Sequence, residues 1–339
     1  MPRSVLVFLV ALSFALLANG QEPLVLKVHK GWVGAVAFSP DGKTLLSGSA
    51  VQPGAEKTWQ TPMLNCWDAA TGELKWSLGA SGDTIAAVAY SPNGKLVATG
   101  SFNGTADLWD PATHKGAGKF LGDQYFGNKG HRGAVMCVAF SADSATLATG
   151  GIDGTIRFWD TNTEKQKTVI REHKSWVNAL VYSPDGTTLA SGSSDNTVKL
   201  WDAGTLKETA SFAERTGEVR SLAFSPDGKT LAVGIRYGVV RLLDGKTAKE
   251  KANWKAHVSD VWAVAFTPDG KTLATGNGDW DRPGEVKLWD VQSLKERAVL
   301  KHTGEVLALA ISADGKLAAG SWDRTIRLWD LNKLPNPQK

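Results

Sequence analysis

The chain has 339 residues and a formal net charge of +4, from 38 basic and 34 acidic residues interleaved without a basic block. That balance describes an ordinary solvated surface and offers no electrostatic footprint for nucleic acid or membrane lipid as a partner. A single hydrophobic core usually stops growing at about 250–300 residues, so a chain of this length asks for several domains or for an array of units that pack only on their neighbours.

Residues 1–20 stand apart from the rest of the chain. Arg3 is basic, residues 4–18 are apolar, and Ala18, Asn19 and Gly20 put small residues where a signal peptidase reads them. A secretory signal with cleavage after Gly20 is expected, leaving residues 21–339 as the mature domain, exported to the periplasm or the medium. The apolar run is shorter than the about 18 residues wanted for a span, so membrane insertion of the mature chain is not expected. No cysteine lies near the cleavage site to carry a lipid anchor.

From residue 24 the chain repeats itself. The residue before a Pro-Asp-Gly-like turn recurs at Ser39, Ser91, Ser141, Ser183, Ser225, Thr267 and Ser312. Each copy closes on Trp67, Trp109, Trp159, Trp201, Leu243, Trp289 or Trp329, followed by Asp. A period near 42 with a Trp-Asp close resembles the WD-repeat family of β-propellers, over residues 24–330. The Ser-Pro-Asp-Gly style of the repeats looks most like exported bacterial members of that family.

Repeat four shows how one unit makes a blade. Residues 177–183, with β-branched Val177 and Val181 and aromatic Tyr182, read as a first strand, Pro184-Asp185-Gly186 is a tight turn, and residues 187–193, 197–202 and 206–212 read as three more strands. Four short antiparallel strands make one propeller blade, and seven copies predict an all-β, seven-bladed ring. Residues after Asp330 are too proline-broken for a good fourth strand, whereas residues 23–28 occupy the place of one. That N-terminal strand is predicted to complete the last blade and close the ring.

The resemblance implies a buried polar set in each blade: a His before the first strand, a Ser or Thr on the second, an Asp in the second turn and the Trp. Repeat four matches with His173, Ser191, Asp195 and Trp201, and repeat three with His131, Thr149, Asp153 and Trp159. Repeat seven has Ala319 in the hydroxyl slot, repeats one and six keep His29 and His257 without the turn Asp, and repeat two has Asn103 without the His. Repeat five departs most, with Arg215, Val233, Tyr237 and Leu243 in the four slots. A recurring His, Ser and Asp beside a Trp behaves as a structural device rather than a hydrolase triad. No nucleophile elbow, zinc-protease motif or phosphate loop is present, so neither catalysis nor a cofactor or metal is expected. Cys66 and Cys137 fill small or apolar slots of non-adjacent repeats and are expected to remain thiols.

Three insertions, at residues 50–62, 122–129 and 276–285, fall on the face that also carries the connections between blades. Extra loops on one face of a repeat array usually mark its binding face. In the family, positions flanking the first residue of each first strand, and those in the second turn, look out around the central channel. Here they gather Trp32, Trp176, Trp262, Trp322 and Phe102 with Glu218, Arg220, Arg236 and Asp260; Trp59 and Trp280 sit on inserted loops. Aromatic residues and Arg dominate binding hot spots. The expectation is a monomeric, non-catalytic scaffold that binds a protein or peptide through this face. Two rivals stay open: a carbohydrate binder or glycan-acting enzyme using Glu218, Asp260 and Glu305 in the central mouth, and a structural module of a larger exported complex.

Overall fold

The computed structural model describes residues 22–27, 29–50, 62–79, 83–120, 130–279 and 282–334. The predicted signal and cleavage site, Trp59 and Trp280 lie outside them. The described residues form seven four-stranded antiparallel sheets, and six of these are built from strands consecutive in sequence. Blade four is typical, with strands Val177–Tyr182, Thr188–Ser193, Thr197–Asp202 and Glu208–Ala213. The first strand of every blade touches the first strand of the next, and that of the seventh, Val306–Ile311, touches that of the first, Val33–Phe38. The seven sheets therefore close into a ring around an axis lined by first strands. Among the described residues no helix is long and apolar enough to cross a membrane.

The seventh sheet is completed from the far end of the chain. Leu24–Leu26 pairs antiparallel with Ile326–Asp330, with Leu24 opposite Leu328 and Leu26 opposite Ile326. Leu26 packs with Ile326 and Leu328 against Val33, Val36 and Trp67 of the first blade. The closing strand thus ties the last sheet to the first through a shared apolar cluster.

Blade-to-blade packing explains the recurrent glycine in the second strands. A Cβ on Gly192 would collide with Cγ1 of Val219, the leading residue of the next blade. At the closure, a Cβ on Gly320 would lie 2.9 Å from Cγ1 of Val33. Each glycine leaves the hollow into which a fully buried Val or Ile of the neighbouring blade fits. Cys66 and Cys137 are both buried and unpaired with one another, as core residues of their blades. Burial pushes both thiols up from their ordinary value.

Candidate site at the mouth of the central channel

A β-bulge at the start of every blade aims side chains into the channel. In blade four Val177 pairs with Ser193 and Ala179 with Gly192, so Asn178 has no partner of its own. The same shift skips Gly34, Ala86, Met136, Arg220, Trp262 and Leu307 in the other blades. A bulged residue leaves the ladder and turns its side chain away from the pleat. All seven line one cavity of about 490 Å³, joined by Trp32, Phe102, Trp176, Trp322 and Glu305. That volume lies within the usual range of ligand sites.

The mouth has two unlike halves. Across blades seven, one and two, Trp322 stacks on Trp32 with ring centroids 5.5 Å apart and planes 11° from parallel. Phe102 leans on Trp32 at 6.2 Å. Opposite them, Trp176 is 47% exposed, the most open of the tryptophans in the mouth. Blades five and six supply the charged half. Arg220 reaches Glu218 at 3.0 Å and Asp260 at 3.5 Å, and Arg236 reaches the same two carboxylates at 3.0 and 3.9 Å. Asp260 also accepts the Tyr237 amide at 2.8 Å, and Glu218 accepts the Ser194 hydroxyl at 3.0 Å.

Trp262 departs from the expected ring of open aromatics. The Arg220 guanidinium lies over its ring, 4.7 Å from the centroid, and the residue is only half exposed. Two carboxylates hold Arg220 in place, so Trp262 offers its covered face to an arginine rather than to solvent. Tyr237, counted in the sequence only as a missing Asp, is 54% exposed with the Arg236 guanidinium 4.9 Å from its ring centroid. Its positive φ of 63° is unusual for a residue with a Cβ. A Tyr in a slot that elsewhere takes Asp or Asn was the signal that could have found it.

Glu305 differs from the other two carboxylates. It is buried, lines the cavity, and makes no side-chain hydrogen bond or ion pair among the described residues. Burial first, then the nearby charges of Asp279 and Asp260, pushes its carboxyl above the ordinary range.

The polar set lies well away from the channel, inside the blades. Trp201 Nε1 donates to Ser191 Oγ at 2.9 Å; Ser191 Oγ is 2.7 Å from His173 Nε2, and His173 Nδ1 is 3.0 Å from Asp195. A carboxylate only accepts, so Nδ1 carries the proton of the neutral ring and the Ser hydroxyl donates to Nε2. Asp195 then caps the Lys174 amide at 2.8 Å, tying the loop before the blade to the turn within it. His131, Thr149, Asp153 and Trp159 repeat this relay. Burial would raise both acids, but hydrogen bonds from the His, the loop amide and Thr155 or Thr197 outweigh it and hold them well below the usual range. In blade six Glu285, from the third strand, approaches His257 Nδ1 at 3.5 Å in place of the absent turn Asp. The closeness of the His257 ring is the main reason that carboxyl falls to about 2. Among the described residues no cluster of three or more His, Cys, Asp or Glu is arranged to hold a metal.

Residues 121–297, more than half of the chain, match the family described as the IFT122 first beta-propeller. Residues 20–50, 72–110 and 294–330 match the WD domain, G-beta repeat family. The small ribosomal subunit protein RACK1y of Oryza sativa subsp. japonica is 38% identical over 84 residues, covering 24% of this chain and 22% of that protein. Pre-mRNA-processing factor 19 homolog 2 of Arabidopsis thaliana is 46% identical over 52 residues, covering 15% of this chain and 10% of that protein. The chain thus spans less than a quarter of the length of each of these relatives.

Proposed function

The chain belongs to the WD-repeat β-propeller family, and we propose that it is a non-catalytic scaffold that binds a protein or peptide through the mouth of its channel. The carrying observation is the pairing of a 490 Å³ cavity with aromatic residues that remain accessible around it, Trp176, Trp322 and Phe102. Exposed aromatics at a concave site are costly without a use and are what binding hot spots are made of. The three insertions of the sequence, which lie largely outside the described residues, join second to third strands or one blade to the next.

A glycan-acting centre has less support. Glu218 and Asp260 are both held by Arg220 and Arg236, which leaves Glu305 without a free carboxylate partner for acid–base chemistry. Export is part of the proposal and rests on the pattern of residues 1–20; N-terminal sequencing of the protein from its native compartment should begin at Gln21, and a retained Met1 would refute it.

Partner capture from that compartment, run beside thermal melts of Trp176→Ala and Trp322→Ala, tests the binding face. Truncating a hot-spot Trp costs about 2 kcal/mol of binding or more, roughly thirtyfold in affinity. Large losses of melting temperature with undiminished capture would make these residues core and remove the proposed face.

A further inference from the structure

We propose that the mouth contains a site for one organic cation, the ammonium or guanidinium of a lysine or arginine side chain on the partner, with Glu305 as its counter-charge and the stacked Trp32 and Trp322 as its aromatic wall. The proposal deepens the protein-binding reading and rests on it for the source of the cation.

Among the described residues that line the mouth, charge does not balance. Arg220 and Arg236 face Glu218, Asp260 and Glu305, and both arginines are spent on the first two carboxylates. The Arg220 guanidinium is further fixed over the Trp262 ring. Glu305 is left over, 6% exposed and facing the cavity. A carboxylate facing the channel with no hydrogen bond and no counter-ion among the described residues is destabilised in its charged form. Its equivalents around the ring, Trp32, Thr84, Ala134, Trp176, Glu218 and Asp260, are either uncharged or paired. The cost disappears when a cation enters from the open end.

The walls suit that occupant. The Trp32 and Trp322 rings lie at the same cavity, and the indole face is the best aromatic surface for a cation. On the first two blades the bulge residues are small, Gly34 and Ala86, and the Trp32 ring lies over the first of them. Leu307 and Met136 add apolar surface for the methylene stem of an inserted Lys or Arg.

The probes are N-acetyl-arginine methylamide, N-acetyl-lysine methylamide and their uncharged counterparts made from citrulline and norleucine, titrated into the full chain by ligand-observed NMR. Both cationic probes should bind at least tenfold tighter than their counterparts. Glu305→Gln should erase that preference while melting no lower than the wild type. Equal binding of arginine and citrulline probes, or a preference that survives Glu305→Gln, overturns the proposal. The two readings separate cleanly. Cation binding lost in Glu305→Gln but without any captured protein partner supports the site and removes the scaffold reading. Capture that is identical for wild type and Glu305→Gln overturns the site and leaves the scaffold reading standing.

Discussion

Blades four and five share every strand, the bulge and the register, yet they are held together by opposite chemistry. In blade four a ring on the incoming loop, His173, reaches a carboxylate in the turn, Asp195, through a relay anchored at Trp201 and Ser191. In blade five the hydroxyl and the indole are replaced by Val233 and Leu243, which join the apolar cluster around Val219 and Leu231. There the incoming loop carries the acid itself. Glu214 caps the amides of Arg215 and Thr216, each at 2.8 Å, and pairs with Arg241 from the third strand. Arg241 continues to Glu250 at 2.7 Å on the outer strand. What both blades preserve is a carboxylate that ties loop amides to the sheet; which element carries it is free to change.

Blade five is where loss of that carboxylate should cost most. Glu214→Ala leaves Arg241 only its outer partner, Glu250, and should cost about 3 kcal/mol in urea unfolding. Adding Arg241→Met should recover most of that loss, because an apolar replacement of the whole pair removes the stranded charge. Failure of the second change to rescue the first would mean that Glu214 acts through its amide caps alone.

Blade one is an intermediate case, with the ring and the hydroxyl but no acid. His29 Nε2 is 2.7 Å from Ser47 and its Nδ1 is buried without a partner, so burial lowers the ring to about 4 from an ordinary 6.5. The unfolded chain takes up that proton first. Stability is therefore fully present above about pH 6.5 and falls as the pH drops towards 4, by about 3 kcal/mol at the lower end. The carboxylates of blades three and four act lower down: their stability is present above the unfolded value near 3.8 and is lost only as the pH falls below it. His29→Gln should flatten the upper part of the acid-unfolding curve, between pH 6.5 and 4, and leave the lower part unchanged. A variant curve parallel to the wild type through both windows would refute the assignment.

Smaller effects should follow from the relay and the turn. Ser191→Ala removes the atom shared by His173 and Trp201 and should cost about 1–3 kcal/mol at pH 7, whereas Val233→Ala at the matching place in blade five leaves no polar group stranded. Tyr237→Gly relieves a positive φ of 63° and should stabilise the fold by about 1 kcal/mol or less. A loss of stability there would show that the contact with Arg236 outweighs the backbone strain.

The ring of blades was legible in the chain because the repeats put the same residue types at the same spacing, and the leftover apolar strand at residues 24–26 had one vacant place to fill. The relays of blades three and four were legible for the same reason. Glu214 with Arg241, and Glu285 beside His257, were not, since each carboxylate sits outside the slot that the repeat pattern assigns to it. The bulge that turns seven residues, six of them with side chains, toward the channel leaves no mark in the hydrophobic pattern; it became visible only as a skipped pairing, such as that of Asn178. Nor did the sequence separate Trp262 from Trp176, because the cover over the first comes from Arg220 on the neighbouring blade.

The pairing of Leu24 with Leu328 has a consequence in time. A ribosome delivers the first of these about 300 residues before the second, and loop-closure entropy over that span delays the contact further. Blades one to six need only strands that are neighbours in sequence, so they are free to form as they emerge. The seventh must keep Ile326–Asp330 as a bare strand edge until Leu24–Leu26 swings back to cover it, and any factor that shields nascent chains has its most dangerous interval to guard between the emergence of that strand and its pairing.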